Sequence, residues 1–428
     1  MRPSRPLIAR GVRLARLVTG LLTLQLIAQA LSVVTGLVLL RWLDVSQYAQ
    51  YTVAFGFSTT LIALVDLGLG AAVMPLMAQH RDDPEQLGAY MKAALSLRRR
   101  IAYVVLPTSA GAFYLLASHH HWGLPDQLAL FASITTVVVA RATLDSYSLP
   151  LFIHGKYGVY YGAQSGSSVI RFVTTACFHV ARALTGWTAS AITSVSVAMT
   201  GLANRRGSRA FVAAQERVDP DCTRNIVRLA LPAMPSVIYV AFQGQITVFL
   251  IAALGGTTSI ADVGALNRFS QLFAAAAALN AVLIGPRFAR LPRDELMSKT
   301  ILVLVTAALL GAMLSAAAFV IPGPFLLLLG HSYRSLRAET GWYILGGSIG
   351  TVAGILYAIT TARRFNWWKP ILVTLPLGVA VEAAAAILID LNTPLHVGMF
   401  NVLSASFAIV WGSAAFIYGA RRGPRVPE

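Results

Sequence analysis

The sequence predicts an all-α, polytopic membrane protein, and three observations predict it. Of the 428 residues, 56% are hydrophobic and only 12% are charged, whereas soluble domains carry about 25% charged residues. Apolar runs recur from end to end, and basic residues concentrate in alternate loops between them. This composition excludes an ordinary soluble enzyme and a disordered or fibrous protein. Two cysteines also exclude a disulfide scaffold.

About twelve apolar runs are long enough to cross a bilayer, which takes about 20 residues. They leave no room for a soluble domain. In chain order, the predicted spans are 17–40, 49–78, 101–118, 126–152, 158–181, 185–203, 228–254, 260–286, 300–329, 340–362, 370–390 and 396–418.

The net charge of +17 has two usual meanings on such a chain: nucleic-acid binding or a positive-inside bias. The distribution decides between them. Of the 34 basic residues, 27 lie in the termini and the even-numbered loops, and only four lie in the odd-numbered loops. This asymmetry predicts an even number of spans with both termini in the cytoplasm. It also argues against a nucleic-acid partner, because no folded domain carries a basic face.

The long basic loop near residues 205–225 divides the chain into two halves. We predict a six-helix bundle over 1–204, a cytoplasmic linker over 205–225 and a second six-helix bundle over 226–428. A weak repeat supports this division, because Tyr51 and Pro75 are separated by 24 residues and Val263 and Pro286 by 23. With six spans in each half, the bundles are expected to be related by a pseudo-two-fold axis along the membrane normal.

Ionisable residues inside spans are functional candidates, because each costs about 2.5–3.5 kcal/mol at mid-helix. Polar side chains at helical spacing accompany them and predict wet faces on spans 1, 4, 5, 7 and 8. We predict a water-filled cavity between the halves that binds an anionic substrate, because a guanidinium can donate two parallel hydrogen bonds to a phosphate. The candidate substrate-binding residues are Arg171, Arg268, Arg141, Gln164, Asn267, Gln271, Gln25 and Gln29.

Each candidate has a structural alternative. Arg141 and Asp145 lie four residues apart and can form an internal ion pair. Arg268 can be a helix-end residue whose guanidinium extends to the membrane–water interface. Asp66 is interpreted mainly as a capping residue or a partner for a neighbouring helix. Glu382, alone in the eleventh span, is a candidate for proton coupling or a neutral, hydrogen-bonded acid.

Three segments resemble a known family. RWLDVSQYAQY at 41–51 and LVDLGLG at 64–70 look like its "RxLGPxxYGxY…xDLGL" stretch, with Asp44 and Val45 where Gly-Pro is usual. RLALPAMPS at 228–236 is similar to the start of its second half. The family is that of polysaccharide-biosynthesis proteins, lipid-linked oligosaccharide flippases of the multidrug/oligosaccharidyl-lipid/polysaccharide exporter superfamily.

The resemblance implies a transporter that moves a polyprenyl-pyrophosphate-linked oligosaccharide across the bacterial inner membrane by alternating access. The sequence shows no catalytic or metal-binding motif, so we expect no enzyme activity and no cofactor other than a coupling proton or sodium ion. Expected partners are the lipid-linked glycan, the bilayer and other polysaccharide-assembly membrane proteins.

Three alternatives stay open at this point. A cation-coupled drug exporter of the same superfamily is disfavoured by three arginines within spans. A membrane enzyme of polysaccharide assembly is disfavoured by the short external loops. A peptidoglycan-precursor flippase is disfavoured by the span count of about twelve.

Overall fold

The chain is described here by a computed structural model. It covers residues 23, 25, 27–215, 217–231, 233–269, 273, 284–363, 365, 368–389 and 391–422. Over these residues the chain forms helices and turns, and no strand. The helices are α1 Ile27–Trp42, α2 Val45–Asp66, α3 Leu69–Gln79, α4 Pro84–His119, α5 Leu124–Ile153, α6 Tyr157–Val180, α7 Gly186–Ser208, α8 Pro220–Ala230, α9 Met234–Gln243, α10 Ile246–Leu254, α11 Thr257–Leu266, α12 Gly285–Arg290, α13 Arg293–Val320, α14 Gly323–Leu329, α15 Arg337–Ala362, α16 Trp368–Leu388 and α17 Pro394–Arg422.

Local sequence signals explain several helix boundaries. α2 ends at Asp66 because Leu67 and Gly68 adopt positive φ angles of 42° and 78°, the left-handed region that favours glycine. Thr185 and Thr188 form a capping box at the start of α7. The carboxylate of Asp219 accepts hydrogen bonds from the backbone at the start of α8.

The chain divides into two compact units. The first comprises residues up to Leu39, Phe57–Ala117 and Trp122–Ile238, and the second comprises Leu40–Gly56, Ser118–His121 and the chain from Tyr239 onward. In the first unit α5 packs against α7, α6 packs against both, and α3 packs against α5 and α8. In the second unit α15 packs against α13 and α17.

Each unit has its own apolar core. In the first, residues of α3, α4 and α8 form a buried cluster that includes Leu69, Met77 and Ile226. In the second, Ile355 and Phe416 belong to a cluster contributed by α12, α13, α15 and α17. Within the predicted linker 205–225, α7 continues to Ser208 and α8 begins at Pro220, so helical structure extends into this segment.

Six described helices are long and apolar enough to span a membrane as single rods, or seven if the bent pair α8–α9 is counted as one span. Other predicted spans are divided by turns: residues 228–254 contain the end of α8, α9 and α10. α6 and α7 have 24 and 23 residues, so they are long enough, but polar side chains lower their hydropathy. The third span differs most from the prediction, since α4 begins at Pro84 rather than near residue 101.

The two cysteines are both free thiols. Cys177 lies exposed near the end of α6, whereas Cys222 is buried at the start of α8. The Cys222 thiol donates a hydrogen bond to the Asp219 carboxylate over 3.3 Å.

Candidate functional site

Arg171 lies on α6 in the first unit, where two predicted polar faces meet. Its Nη2 donates a hydrogen bond to the hydroxyl of Ser32 on α1 over 3.0 Å. Gln25 and Gln29, on the helical face that leads to Ser32, are half-buried, as is Gln164 on the Arg171 face of α6. A guanidinium within a predicted span is therefore placed beside a neutral hydroxyl, and amides recur on the same faces of α1 and α6. Such groups suit a phosphate and sugars.

Some of the polar side chains that recur at helical spacing on α6 contact α7 and so contribute to helix packing. The Ser196 hydroxyl on α7 donates to the backbone carbonyl of Ser167 over 3.0 Å, and the Thr200 hydroxyl donates to the Ser167 hydroxyl over 2.6 Å. Small hydroxyl side chains allow α6 and α7 to approach closely and satisfy one another's polar atoms. The helical period alone does not separate these packing residues from Arg171.

Arg141 forms an ion pair with Asp145, one turn later on α5, with 3.0 Å between Nε and Oδ1. This is the structural alternative considered for the pair. The Arg141 side chain is 41% exposed and the Asp145 side chain 25% exposed. A substrate role for Arg141 and Asp145 stays a prediction.

Asp66 pairs with Arg98, a residue that the hydropathy pattern assigns to a cytoplasmic loop. Because α4 begins at Pro84, Arg98 lies within the helix and is only 1% exposed. Its Nη2 lies 2.6 Å from Asp66 Oδ1, and its Nη1 donates to the Ser146 hydroxyl over 2.6 Å. Asp66 therefore has a structural partner on a neighbouring helix, and the assignment of Arg98 to a loop is wrong.

Arg268 follows α11 in the second unit and is 7% exposed. Its Nε donates to the Tyr48 hydroxyl over 2.8 Å. The guanidinium carbon lies 5.7, 5.5 and 5.7 Å from the ring centroids of Tyr48, Tyr51 and Phe55, within the range of cation–π attraction. We name these four residues the aromatic arginine cluster. In this conformation the predicted substrate arginine is enclosed by rings of α2.

A close approach of α2 and α11 supports this cluster. The Tyr48 hydroxyl donates to the carbonyl of Gly264 over 3.2 Å. A Cβ at Gly264 would lie 2.3 Å from the Thr52 hydroxyl oxygen, so only glycine fits here. Asn267, at the end of α11, is half-buried. Gln271 lies outside the described residues.

Glu382 on α16 is buried in the second unit and joins three helices. Its Oε1 accepts hydrogen bonds from Ser404 Oγ over 2.5 Å and from Gln243 Nε2 over 3.1 Å. Gln243 Nε2 also lies 2.9 Å from Ser404 Oγ. The carboxyl that looks isolated in its own span is thus held by residues of α9 and α17. Sequence spacing gives no signal for this contact, because Gln243 and Glu382 are 139 residues apart.

Comparison with known proteins places this geometry in a known fold. A family model described as polysaccharide biosynthesis protein matches residues 14–292. No curated protein matches the sequence. Among solved structures, an inward-facing multidrug resistance MATE family transporter of the MOP superfamily is similar, with a TM-score of 0.65 and 15% identity over 94% of this chain and 96% of that chain.

Two further structures are similar at comparable levels. The outward-facing conformation of a multidrug resistance MATE family transporter gives a TM-score of 0.64 and 14% identity over 95% of both chains. The lipid II flippase MurJ in an inward closed conformation gives 0.64 and 10% identity over 92% of this chain and 87% of that chain. At such identities the likeness shows the fold alone. The predicted all-α, polytopic membrane fold is confirmed.

Proposed function

The chain belongs to the polysaccharide biosynthesis protein family, and on that premise we propose that it moves a polyprenyl-pyrophosphate-linked oligosaccharide across the membrane by alternating access. It is a multi-pass membrane protein with the fold of MOP superfamily transporters. The observation that carries the proposal is Arg171 beside Ser32, because it places a guanidinium among polar groups within the predicted spans.

The chemistry of the head group supports this choice of substrate. A pyrophosphate carries several oxygens that a guanidinium can bind through two parallel hydrogen bonds. The amides of Gln25, Gln29 and Gln164 both donate and accept hydrogen bonds, as sugar hydroxyls require. A drug exporter of the same superfamily is the second candidate, since multidrug transporters share the fold. Its substrates would favour carboxylates over arginines.

The experiment is transport in proteoliposomes of a fluorescent polyprenyl-pyrophosphate saccharide, with the label on the outer leaflet removed by an impermeant reductant. Arg171→Ala should lower the rate at least about tenfold, because one charge-assisted hydrogen bond contributes about 1.5–3 kcal/mol. Arg99→Ala is the matched control, since Arg99 is an exposed arginine of the same unit.

The outcomes separate function from site. Undiminished transport by the Arg171→Ala variant would refute the site and keep the function. If the native chain moves no lipid-linked saccharide but exports an organic cation, the drug-exporter assignment replaces ours. If it instead cleaves or transfers the saccharide, the chain is an enzyme of polysaccharide assembly.

We propose Glu382 as the coupling residue, with a proton as its ion and sodium as the alternative. A carboxyl that accepts hydrogen bonds from Gln243 and Ser404 at the junction of three helices can link protonation to their packing. Glu382→Gln cannot titrate, so its transport should lose dependence on an imposed pH gradient. Ser404→Ala keeps the carboxyl and should keep that dependence. A sodium gradient applied at constant pH distinguishes the two ions.

The remaining assignments follow from the same function. We propose the bacterial inner membrane as the location, with both termini in the cytoplasm as the basic loops indicate. Other polysaccharide-assembly membrane proteins are the proposed partners. Arg268, Asn267 and Arg141 stay predicted substrate contacts, and Arg268 would have to leave the aromatic arginine cluster in order to serve.

A further inference from the structure

The first unit contains a groove between α6 and α7 that shares Arg171 with the proposed substrate site and is otherwise separate from the residues named there. The groove has a volume of about 320 Å³ and is open on one side. Most of its lining is apolar, including Ile170, Phe178, Trp187, Val195 and Met199. Each of these five side chains is 36–55% exposed. In a protein embedded in a bilayer, such a surface is filled by hydrocarbon rather than water.

The groove has one charged lining residue. Arg171 is one of its lining residues on α6, together with Ile170, Thr174 and Phe178. Val180, the last residue of α6, lies nine residues beyond Arg171, which is about 14 Å along a helix. Arg171 is therefore placed in the interior of the helix and of the predicted span 158–181, away from the span's end. A ligand that fits has an anionic group followed at once by a long apolar chain.

We propose that this groove binds the lipid phosphate part of the substrate, with the first phosphate on Arg171 and the first isoprene units between α6 and α7. The proposal rests on the proposed function for the identity of the chain, and charge complementarity favours this occupant. An ordinary phospholipid carries its phosphate in the headgroup layer, whereas Arg171 lies well inside the helix. A polyprenyl phosphate that is being translocated must bring its phosphate to this depth.

The test measures binding without transport. Native mass spectrometry of the full chain in detergent would count bound C55 polyprenyl phosphate, with uncharged polyprenol and phosphatidylglycerol as comparison ligands. Ala191 lines the groove, so Ala191→Trp should fill it and lower polyprenyl phosphate binding at least about tenfold, the equivalent of 1.4 kcal/mol. Val195→Trp, at a half-exposed position, is a second blocking variant that perturbs packing less.

The matched control is Leu202→Trp, which adds the same indole to an exposed position of α7 outside the groove lining. It should bind polyprenyl phosphate as the native chain does. Arg171→Ala should weaken polyprenyl phosphate binding and leave polyprenol binding unchanged, because only the phosphate contacts the guanidinium. If Arg171 had only a structural role, Arg171→Ala would change the binding of polyprenyl phosphate and polyprenol together.

Two results would overturn the proposal. Equal binding by both groove-filling variants, with their folded state verified by circular dichroism, would show that the chain binds elsewhere. Equal competition by phosphatidylglycerol would show a groove for ordinary lipid. Failure of the proposed function is distinguishable, because a native chain that binds polyprenyl phosphate in the groove but moves no lipid-linked saccharide keeps this site and loses the transport assignment.

Discussion

Arg98 in the first unit and Arg268 in the second are both buried arginines, yet their charges are balanced differently. Arg98 is 1% exposed and contacts the carboxylate of Asp66 and the hydroxyl of Ser146. Arg268 is 7% exposed and contacts a phenol and three aromatic rings. Within the described residues, no carboxylate forms an ion pair with Arg268.

The difference indicates what each arginine can do. Separating a buried ion pair leaves two uncompensated charges, so Arg98 and Asp66 act as a fixed connection between α2 and α4. Rings attract a cation by about 0.5–2 kcal/mol, and a phenol is a neutral partner. An anion can therefore replace the contacts of Arg268 at a smaller cost in free energy than separating the Arg98–Asp66 ion pair. This comparison predicts that the first arginine governs stability and the second governs conformation or substrate contact.

The largest expected effect is on the ion pair. Arg98→Ala should lower the free energy of unfolding by about 2–4 kcal/mol, because it leaves the Asp66 carboxylate, which is 29% exposed, without its partner. Chemical denaturation in detergent, followed by circular dichroism, measures the change. Arg99→Ala removes an exposed arginine next in sequence and should have little effect. Equal effects of the two variants would refute the distinction between them.

The next effect concerns the bond between Arg268 and Tyr48. A double-mutant cycle of Arg268→Gln and Tyr48→Phe should give a coupling energy of about 1.5–3 kcal/mol, the range for a hydrogen bond to a charged group. A second cycle of Arg268→Gln and Phe55→Leu is the control, since Phe55 offers the guanidinium a ring without a hydroxyl. A coupling near zero between Arg268 and Tyr48 would mean that the rings, rather than the phenol, hold Arg268.

The close approach of α2 and α11 gives a third test. Gly264→Ala should destabilise the second unit by about 1–3 kcal/mol, because the new methyl group would overlap the Thr52 side chain. Thr52→Ala should recover part of this loss when the two substitutions are combined. Gly256→Ala, where a Cβ meets open space, is the matched control. Thermal unfolding in detergent ranks the four variants.

The smallest effect on stability is expected at Asp219, whose carboxylate lies at the surface at the start of α8. Hydrogen bonds from the backbone N–H of Asp221 and from the thiol and backbone N–H of Cys222 lower the pKa of Asp219. Because its pKa is lower in the folded state, Asp219 stabilises the fold at pH values above its unfolded pKa of about 3.9. This stabilisation is lost as the pH falls through the folded-state pKa. The difference in melting temperature between the native chain and Asp219→Ala should therefore shrink on acidification.

Hydropathy and helical period predict much of the fold and part of the candidate site. They locate the helices, and they predict a structural partner for Asp66, since a carboxylate within a span requires one. They do not identify Arg98, because a run of three arginines at 98–100 has the pattern of a cytoplasmic loop. They also miss the partners of Arg268 and Glu382, since these contacts join residues 220 and 139 positions apart.

The unequal exposure of the two cysteines makes the chain suitable for mapping its orientation in intact cells. Cys177 is exposed on the membrane helix α6 and Cys222 is buried, so a membrane-permeant maleimide should label Cys177 first. Replacing Cys177 by serine then gives a background of low reactivity, into which single cysteines can be introduced in each loop. Impermeant and permeant reagents applied to that series would read the sidedness of every loop.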